Sequence, residues 1–283
     1  MRPGGPLYPR WRSAVVMAGL LTLLLTGAVD ASSLELRVCA DPNNLPFSNA
    51  AGEGFENRIM QVLASDLGAT VRYVWWAQRR GALRNTLNAG VCDIVPGIAD
   101  GIETVTTTRP YYRSSYVFVV PAKSSLANLY SLDDPRLANA TIGVQLIGDD
   151  GANAPPAHAL TRRGLISNVR GFMVYGDYAS GTPQAPVIDA VASHAIDIAI
   201  VWGPVAGYFA RDKPEKLQLT AVSPELDGGQ FPMSYAISIG VRKDDLMLRQ
   251  QLDAALERNR RSVEQVLDEF HVPRATATDQ HSR

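Results

Sequence analysis

Between Leu34 and Phe270, short runs of β-branched and apolar residues alternate with stretches of helical periodicity. That alternation restricts the chain to α/β architecture, because strands that follow one another through helices pair mainly in parallel and need helices over their faces. Leu36-Arg37-Val38-Cys39-Ala40 reads as a strand that ends in the turn-rich Asp41-Pro42-Asn43-Asn44. Phe55, Ile59, Val62, Leu63 and Leu67 recur at helical spacing and stop at Gly68, a good residue just past a helix end. Val71 to Trp75 is the next strand, Leu83 and Leu87 mark a helix ending at Gly90, and Asp93-Ile94-Val95 follows as a strand. Tyr116 to Val120 closes this run. Thr141 to Gln145 opens a second one, with a helix from about Pro186 to Ala195, the strand Asp197 to Val201 and a helix that Pro204 can start. Met233 to Val241 is a late strand, Leu248, Leu252 and Leu256 mark a helix, and the capping-box pattern Ser262-Val263-Glu264-Gln265 predicts the start of the last helix.

The N-terminal residues have a different character. Arg2, Arg10 and Arg12 precede an uncharged, Leu-rich stretch from Ala14 to Val29, and small residues stand around Ala31. This is the order of a secretory signal, and the stretch is near the lower limit of the ~20 residues a membrane-crossing helix needs. Residues 1–31 are therefore expected to be a signal peptide cleaved after Ala31, the alternative being an uncleaved anchor, and the expected location is the periplasm. No Cys follows the apolar stretch immediately, which argues against a lipoprotein anchor. About 250 residues remain, room for one large or two medium domains. A net charge of −1 gives no electrostatic reason to expect nucleic acid as a partner. Two cysteines, Cys39 and Cys92, are candidates for one disulfide in an oxidising compartment. The alternative is a pair of buried thiols, since parallel neighbouring strands in an unfavourable register would hold them too far apart.

The order of elements resembles the type II periplasmic solute-binding proteins, family 3. Its landmarks are Leu45-Pro46-Phe47-Ser48, Gly54-Phe55-Glu56-Asn57, Gly90 to Val95, Thr108-Arg109-Pro110-Tyr111-Tyr112, Ile142 to Gln145 and Asp197 to Trp202. A narrower resemblance lies in Cys39 to Ser48, Gln78-Arg79-Arg80-Gly81, Arg84 to Gly90 and Thr107 to Tyr116, which are similar to the MoxJ and XoxJ type of solute-binding protein associated with quinoprotein dehydrogenases. The broad resemblance implies a two-lobed α/β fold, each lobe a mainly parallel sheet flanked by helices, with two crossing hinge segments. Residues 34–120 plus 233–272 would form lobe 1, 124–228 lobe 2, and 273–283 a disordered tail. The narrow resemblance implies an accessory or maturation factor for a PQQ-dependent methanol dehydrogenase, which makes that enzyme a candidate partner.

In amino-acid-binding members an Arg after the third strand grips the ligand carboxylate and an acidic residue after the second lobe's strand holds the ammonium. Alignment back from Pro110-Tyr111 puts the first position at Gly101 and the second at Trp202, with Glu103 or Asp177 as substitutes if the alignment slips. Free amino acids are thus disfavoured. The candidate cleft residues are Asn43, Asn44, Phe47, Trp75, Trp76, Arg79, Arg80, Arg109, Tyr111, Tyr112, Gln145, Asp149, Asp150, Asp177, Tyr178 and Trp202. Aromatic faces with a few polar groups suit a flat or sugar-like ligand or a peptide segment, and Trp75, Trp76, Tyr111, Tyr112, Arg79, Arg80 and Arg109 would rim one groove. Trp75 has an equal claim to the core, and Arg79-Arg80 to a solvated turn.

No chemistry is announced. His158, His194, His271 and His281 lack metal-ligand spacing, Gly148 to Asn153 lacks that of a calcium loop, and there is no nucleophile elbow, P-loop or dinucleotide fingerprint. Neither metal nor cofactor is expected. Two further functions stay open: the receptor of an ABC importer for another small solute, with a permease as partner, and an enzyme like the cyclohexadienyl dehydratases of this fold, with Asp149, Asp150 or Asp177 as general acid.

Overall fold

The computed structural model describes residues 1, 4, 34–78, 81–146, 153–174 and 180–275. Among the described residues fourteen strands and seven α-helices follow in chain order: β1 (Leu34–Ala40), β2 (Asn43–Asn44), β3 (Ser48–Asn49), α1 (Phe55–Asp66), β4 (Ala69–Trp75), α2 (Ala82–Asn85), β5 (Ile94–Ala99), β6 (Thr106–Thr107) and β7 (Tyr112–Pro121). After β7 come β8 (Ile142–Leu146), α3 (Pro155–Arg162), β9 (Val169–Met173), α4 (Pro186–Ala192), β10 (Ile198–Trp202), α5 (Gly203–Ala210), β11 (Leu217–Ala221), β12 (Leu226–Asp227), β13 (Phe231–Pro232), β14 (Ser234–Val241), α6 (Leu246–Arg258) and α7 (Arg260–Glu269).

The main sheet runs β4-β1-β5-β14-β7-β10-β8-β9. At one end β4, β1 and β5 are parallel; at the other β10, β8 and β9 are parallel. The long antiparallel strands β14 and β7 join the two ends. β7 changes partner along its length: Tyr112 to Ser115 pair with β14, whereas Tyr116 to Val119 pair with β10 and Val117 to Pro121 with β11. The chain therefore crosses between the halves at Ser115–Tyr116 and returns where β14 begins. This is the two-lobed α/β fold expected from the sequence, with a mainly parallel sheet in each lobe and two crossing segments.

Apolar cores follow the same division. Phe55, Ile59 and Leu63 of α1 pack with Leu36 and Val38 of β1 and with Leu252, Val263 and Leu267 of α6 and α7. The other half is covered on both faces, by Leu137 and Leu160 on one side and by Ile188, Val191 and Val205 on the other. The last helix begins at Arg260, with Asn259 in the capping position, two residues before the predicted start at Ser262. α6 ends at Arg258, so a single residue separates the two helices and the local pattern at Ser262 falls inside a turn already formed. The helix expected to reach Gly90 is shorter, with four residues in α2.

Candidate ligand-binding cleft

Where β7 and β14 cross, a cavity of about 380 Å³ opens between the halves, within the usual size of a small-molecule site. Its wall is set by strand alternation: Tyr112 and Tyr116 lie on one face of β7, Tyr235 and Ile237 on one face of β14. Trp202, at the end of β10, meets Tyr116 edge to face at 5.3 Å and Tyr235 at 5.9 Å. Both contacts are T-shaped, so neighbouring rings present faces in different directions.

A chain of amides crosses the cleft. Asn44 is in the β2–β3 hairpin, Gln145 is on β8 and Gln184 precedes α4, and all three are buried. The Gln145 Nε2 donates to Gln184 Oε1 at 2.9 Å, the Gln184 Nε2 donates to Asn44 Oδ1 at 2.5 Å, and the Trp202 amide donates to Gln145 Oε1 at 2.9 Å. Asn43 adds a second bridge, its Nδ2 donating to the Ser180 carbonyl at 2.7 Å. An amide can both donate and accept, so the relay satisfies each buried group while spanning the two halves.

One wall residue escaped the sequence reading. Glu56 is the second residue of α1 and is 3 % exposed, facing the cavity. Its position follows from tight packing at the helix start: a Cβ on Gly54 would lie 2.1 Å from the Phe47 carbonyl, and a Cβ on Gly97 would lie 2.2 Å from Glu56 Oε1. The Asn57 Oδ1 accepts from the Gly54 amide at 3.1 Å and so fixes that first turn. Among the described residues no side chain or backbone donor reaches the Glu56 carboxyl. Burial pushes its pKa up to about 8, so it is largely protonated at neutral pH. The signal was present in the sequence: Glu56 falls in the apolar stripe with Ile59, Met60 and Leu63, where an acidic residue has no packing reason to stand.

The predicted site residues divide. Asn44, Phe47, Tyr112, Gln145 and Trp202 line the cavity, and Asn43 bridges it. Trp75 does not: its ring stacks on Tyr73 at 4.6 Å on the edge strand β4, away from the cavity wall. Trp76 is 45 % exposed and lines another cavity, beside Cys39 and Ala40. Arg109 lies on yet another surface, its backbone amide donating to Asp253 Oδ1 at 2.7 Å, and Tyr111 packs there with Leu256 and Val263. The aromatic and Arg residues expected to rim one groove are thus spread over several surfaces, because successive residues of a strand point to opposite faces. Arg79, Arg80, Asp149, Asp150, Asp177 and Tyr178 lie outside the described residues. Gly101 stands in the exposed turn after β5, and the described cavity wall carries no Arg, Lys, His or Asp at all. Among the described residues no group of His, Cys, Asp or Glu converges as a metal site.

Cys39 and Cys92 form a disulfide, with Cα atoms 5.6 Å apart. Register alone would not bring them together. Val38 is opposite Ile94, so a fully extended pairing would leave the two sulfur-bearing residues three positions, ~10 Å, out of step. Bends at Val91 and Asp93, just ahead of β5, close that gap.

The model of the bacterial extracellular solute-binding proteins, family 3, matches residues 36–270. The chain belongs to that family. Protein MoxJ of Paracoccus denitrificans is 32 % identical over 267 residues, covering 90 % of this chain and 95 % of the relative. Protein MoxJ of Methylorubrum extorquens is 33 % identical over 245 residues, with 84 % and 81 % covered. The crystal structure of periplasmic binding protein XoxJ from Methylobacterium extorquens AM1 is 35 % identical and superposes with a TM-score of 0.69 over 85 % of this chain and 99 % of that one. In this family setting the cavity is the cleft of a solute-binding-type protein. Chemically, its wall can hold aromatic or apolar groups, exchange hydrogen bonds with amides, and offer one buried carboxyl. Among the described lining residues the other ionisable side chains are tyrosines.

Proposed function

We propose that this family-3 protein is an exported, non-catalytic periplasmic binding protein that serves a PQQ-dependent methanol dehydrogenase as an accessory or maturation factor. The observation that carries the reading is the cleft wall. Amino-acid receptors of this fold grip a carboxylate with an arginine, and no cationic side chain stands on the described wall here. The likeness to MoxJ and XoxJ along most of the chain supports the same direction. A contact surface for the dehydrogenase is offered by the exposed indole of Trp76, since tryptophan is enriched where partners bury a few dominant side chains.

In a host that makes the dehydrogenase, deletion of this gene lowers dehydrogenase activity or maturation, and gentle cross-linking co-purifies the two proteins. Trp76→Ala weakens the association by ~1–2 kcal/mol while the thermal melt stays unchanged. A deletion strain with fully active enzyme, together with no co-purification, sinks the accessory role. The transport-receptor reading would then stand, favoured by a cavity of ligand size bridged by hydrogen bonds.

A further inference from the structure

The occupant's chemistry can be read from the cleft wall, on the premise of the preceding section that this cleft is a binding site. Three features of the wall bear on it. The first is the carboxyl of Glu56, more than nine-tenths buried, pressed against Gly97, facing the cavity and given no partner by any described residue. A buried carboxyl without a partner costs free energy that an occupant could recover. The second is the aromatic wall of Tyr116, Trp202 and Tyr235, whose edge-to-face contacts turn ring faces in more than one direction. Ring faces carry negative partial charge and attract a cation lying over them, and enclosing sets of them recognise alkylated ammonium groups. The third is the lack of Arg, Lys, His and Asp on the described wall, so an anionic occupant meets no counter-charge there.

We infer that the cleft takes a small organic cation, an alkylated ammonium, with its charge compensated by Glu56 and its alkyl groups against the faces of Tyr116, Trp202 and Tyr235. The source is a free solute and not a side chain of a protein partner. Asn43 to Ser180 and Asn44 to Gln184 hold the two halves together across the cavity, and about 380 Å³ so bridged suits a small molecule better than a chain segment. Free α-amino acids bind less well than simple alkylammonium ions, because the described wall offers their carboxylate no cationic partner.

Binding is coupled to a proton. The unoccupied carboxyl is held neutral by burial, with Tyr73 from β4, Tyr112 from β7 and, behind it, Tyr111 just ahead of β7 as the ionisable groups near it. An arriving cation favours the ionised form, so Glu56 loses its proton to solvent as the complex forms. The start of α1 supports that negative charge, since the positive end of the helix dipole lies there. Affinity therefore rises with pH up to about 8, by as much as ~10-fold per pH unit, and levels off above it.

Calorimetry on the purified protein tests this with choline and with its uncharged carbon isostere dimethylbutanol. Choline is expected to bind at least ~10-fold more tightly. Titration in buffers of different ionisation enthalpy should show close to one proton released well below pH 8. Glu56→Gln should remove both the proton release and the pH dependence, and Tyr235→Leu should weaken choline ~5-fold or more. Proton release is read on the unaltered protein, so a variant that misfolds does not rescue the idea. Equal affinity for choline and dimethylbutanol overturns the cation assignment and leaves the cleft a binding site. Choline binding without proton release overturns the role of Glu56, and with it the assignment. Binding of neither probe overturns the assignment too, while the deletion and cross-linking experiments still decide the accessory role.

Discussion

At the scale of single residues, Glu56 sets aside stability for the sake of the cleft. Its pKa is raised by burial from 4.5 to about 8, so between those values the unfolded chain has lost the proton that the folded protein keeps. The folded state binds more protons than the unfolded one there, and stability falls as pH rises through that window. Below pH 4.5 both states hold the proton, and above about 8 neither does. Glu56→Gln has no proton to lose. Thermal melts of the two proteins at pH 5 and pH 8.5 should show the variant gaining on the original at the higher pH. A difference in melting temperature that is the same at both pH values would mean that Glu56 is not held neutral.

At the scale of elements, the three neighbouring strands β1, β5 and β14 are tied together beside the disulfide. The Asp93 carboxylate, just ahead of β5, accepts from Arg37 of β1 at 2.5 Å and from Arg242, which follows β14, at 2.9 Å. Burial raises the Asp93 pKa, but hydrogen bonds from Arg37 and Arg242 outweigh that and hold it below the ordinary value. The disulfide adds a covalent tie between residues 53 positions apart, and closing a loop of that length restricts the unfolded chain by ~4 kcal/mol in the simple entropic treatment. A double Cys39→Ser, Cys92→Ser variant is expected to lose ~2–4 kcal/mol in chemical denaturation. A loss under ~1 kcal/mol would show that the ion pairs and the apolar contacts around Leu87 and Val95 already hold this corner.

On the scale of the whole molecule, the two halves meet through the continuous strands β7 and β14 and through the side chains that bridge the cleft. The strands are hydrogen-bonded along their length and resist change; among the described residues the side chains that span the cleft are Asn43 to Ser180 and the relay through Gln184, and away from the cleft Tyr208 of α5 stacks on Phe270 after α7. A combined Asn43→Ala, Gln184→Ala variant removes both bridges across the cleft. Small-angle scattering of the unoccupied protein should show a larger radius of gyration for the variant than for the original, with circular dichroism unchanged. An unchanged radius would mean that closure is held elsewhere, by the crossing strands or by contacts such as the stack of Tyr208 on Phe270.

Local periodicity by itself determined the α/β class and most elements that carry a strong pattern. Phe55 to Leu67 spell α1 and its end at Gly68, and Asp197 to Val201 spell β10. β9, α3 and β11 were not legible: β9 has Gly171 at its centre, α3 opens on two prolines, and β11 is a short half-buried strand. Asn44, Phe47, Tyr112, Gln145 and Trp202 could be placed at the cleft from the order of elements, since loops at strand ends gather there. What only the tertiary structure decided was which face each neighbouring residue took. Trp75 and Trp76, or Tyr111 and Tyr112, are adjacent in sequence yet belong to different surfaces. Glu56, Gln184 and Tyr235 reach one cavity from elements far apart in the chain. Periodicity fixes a residue's side of its own element, but a site is made by the crossing of elements, and that depends on contacts between residues that no local pattern relates.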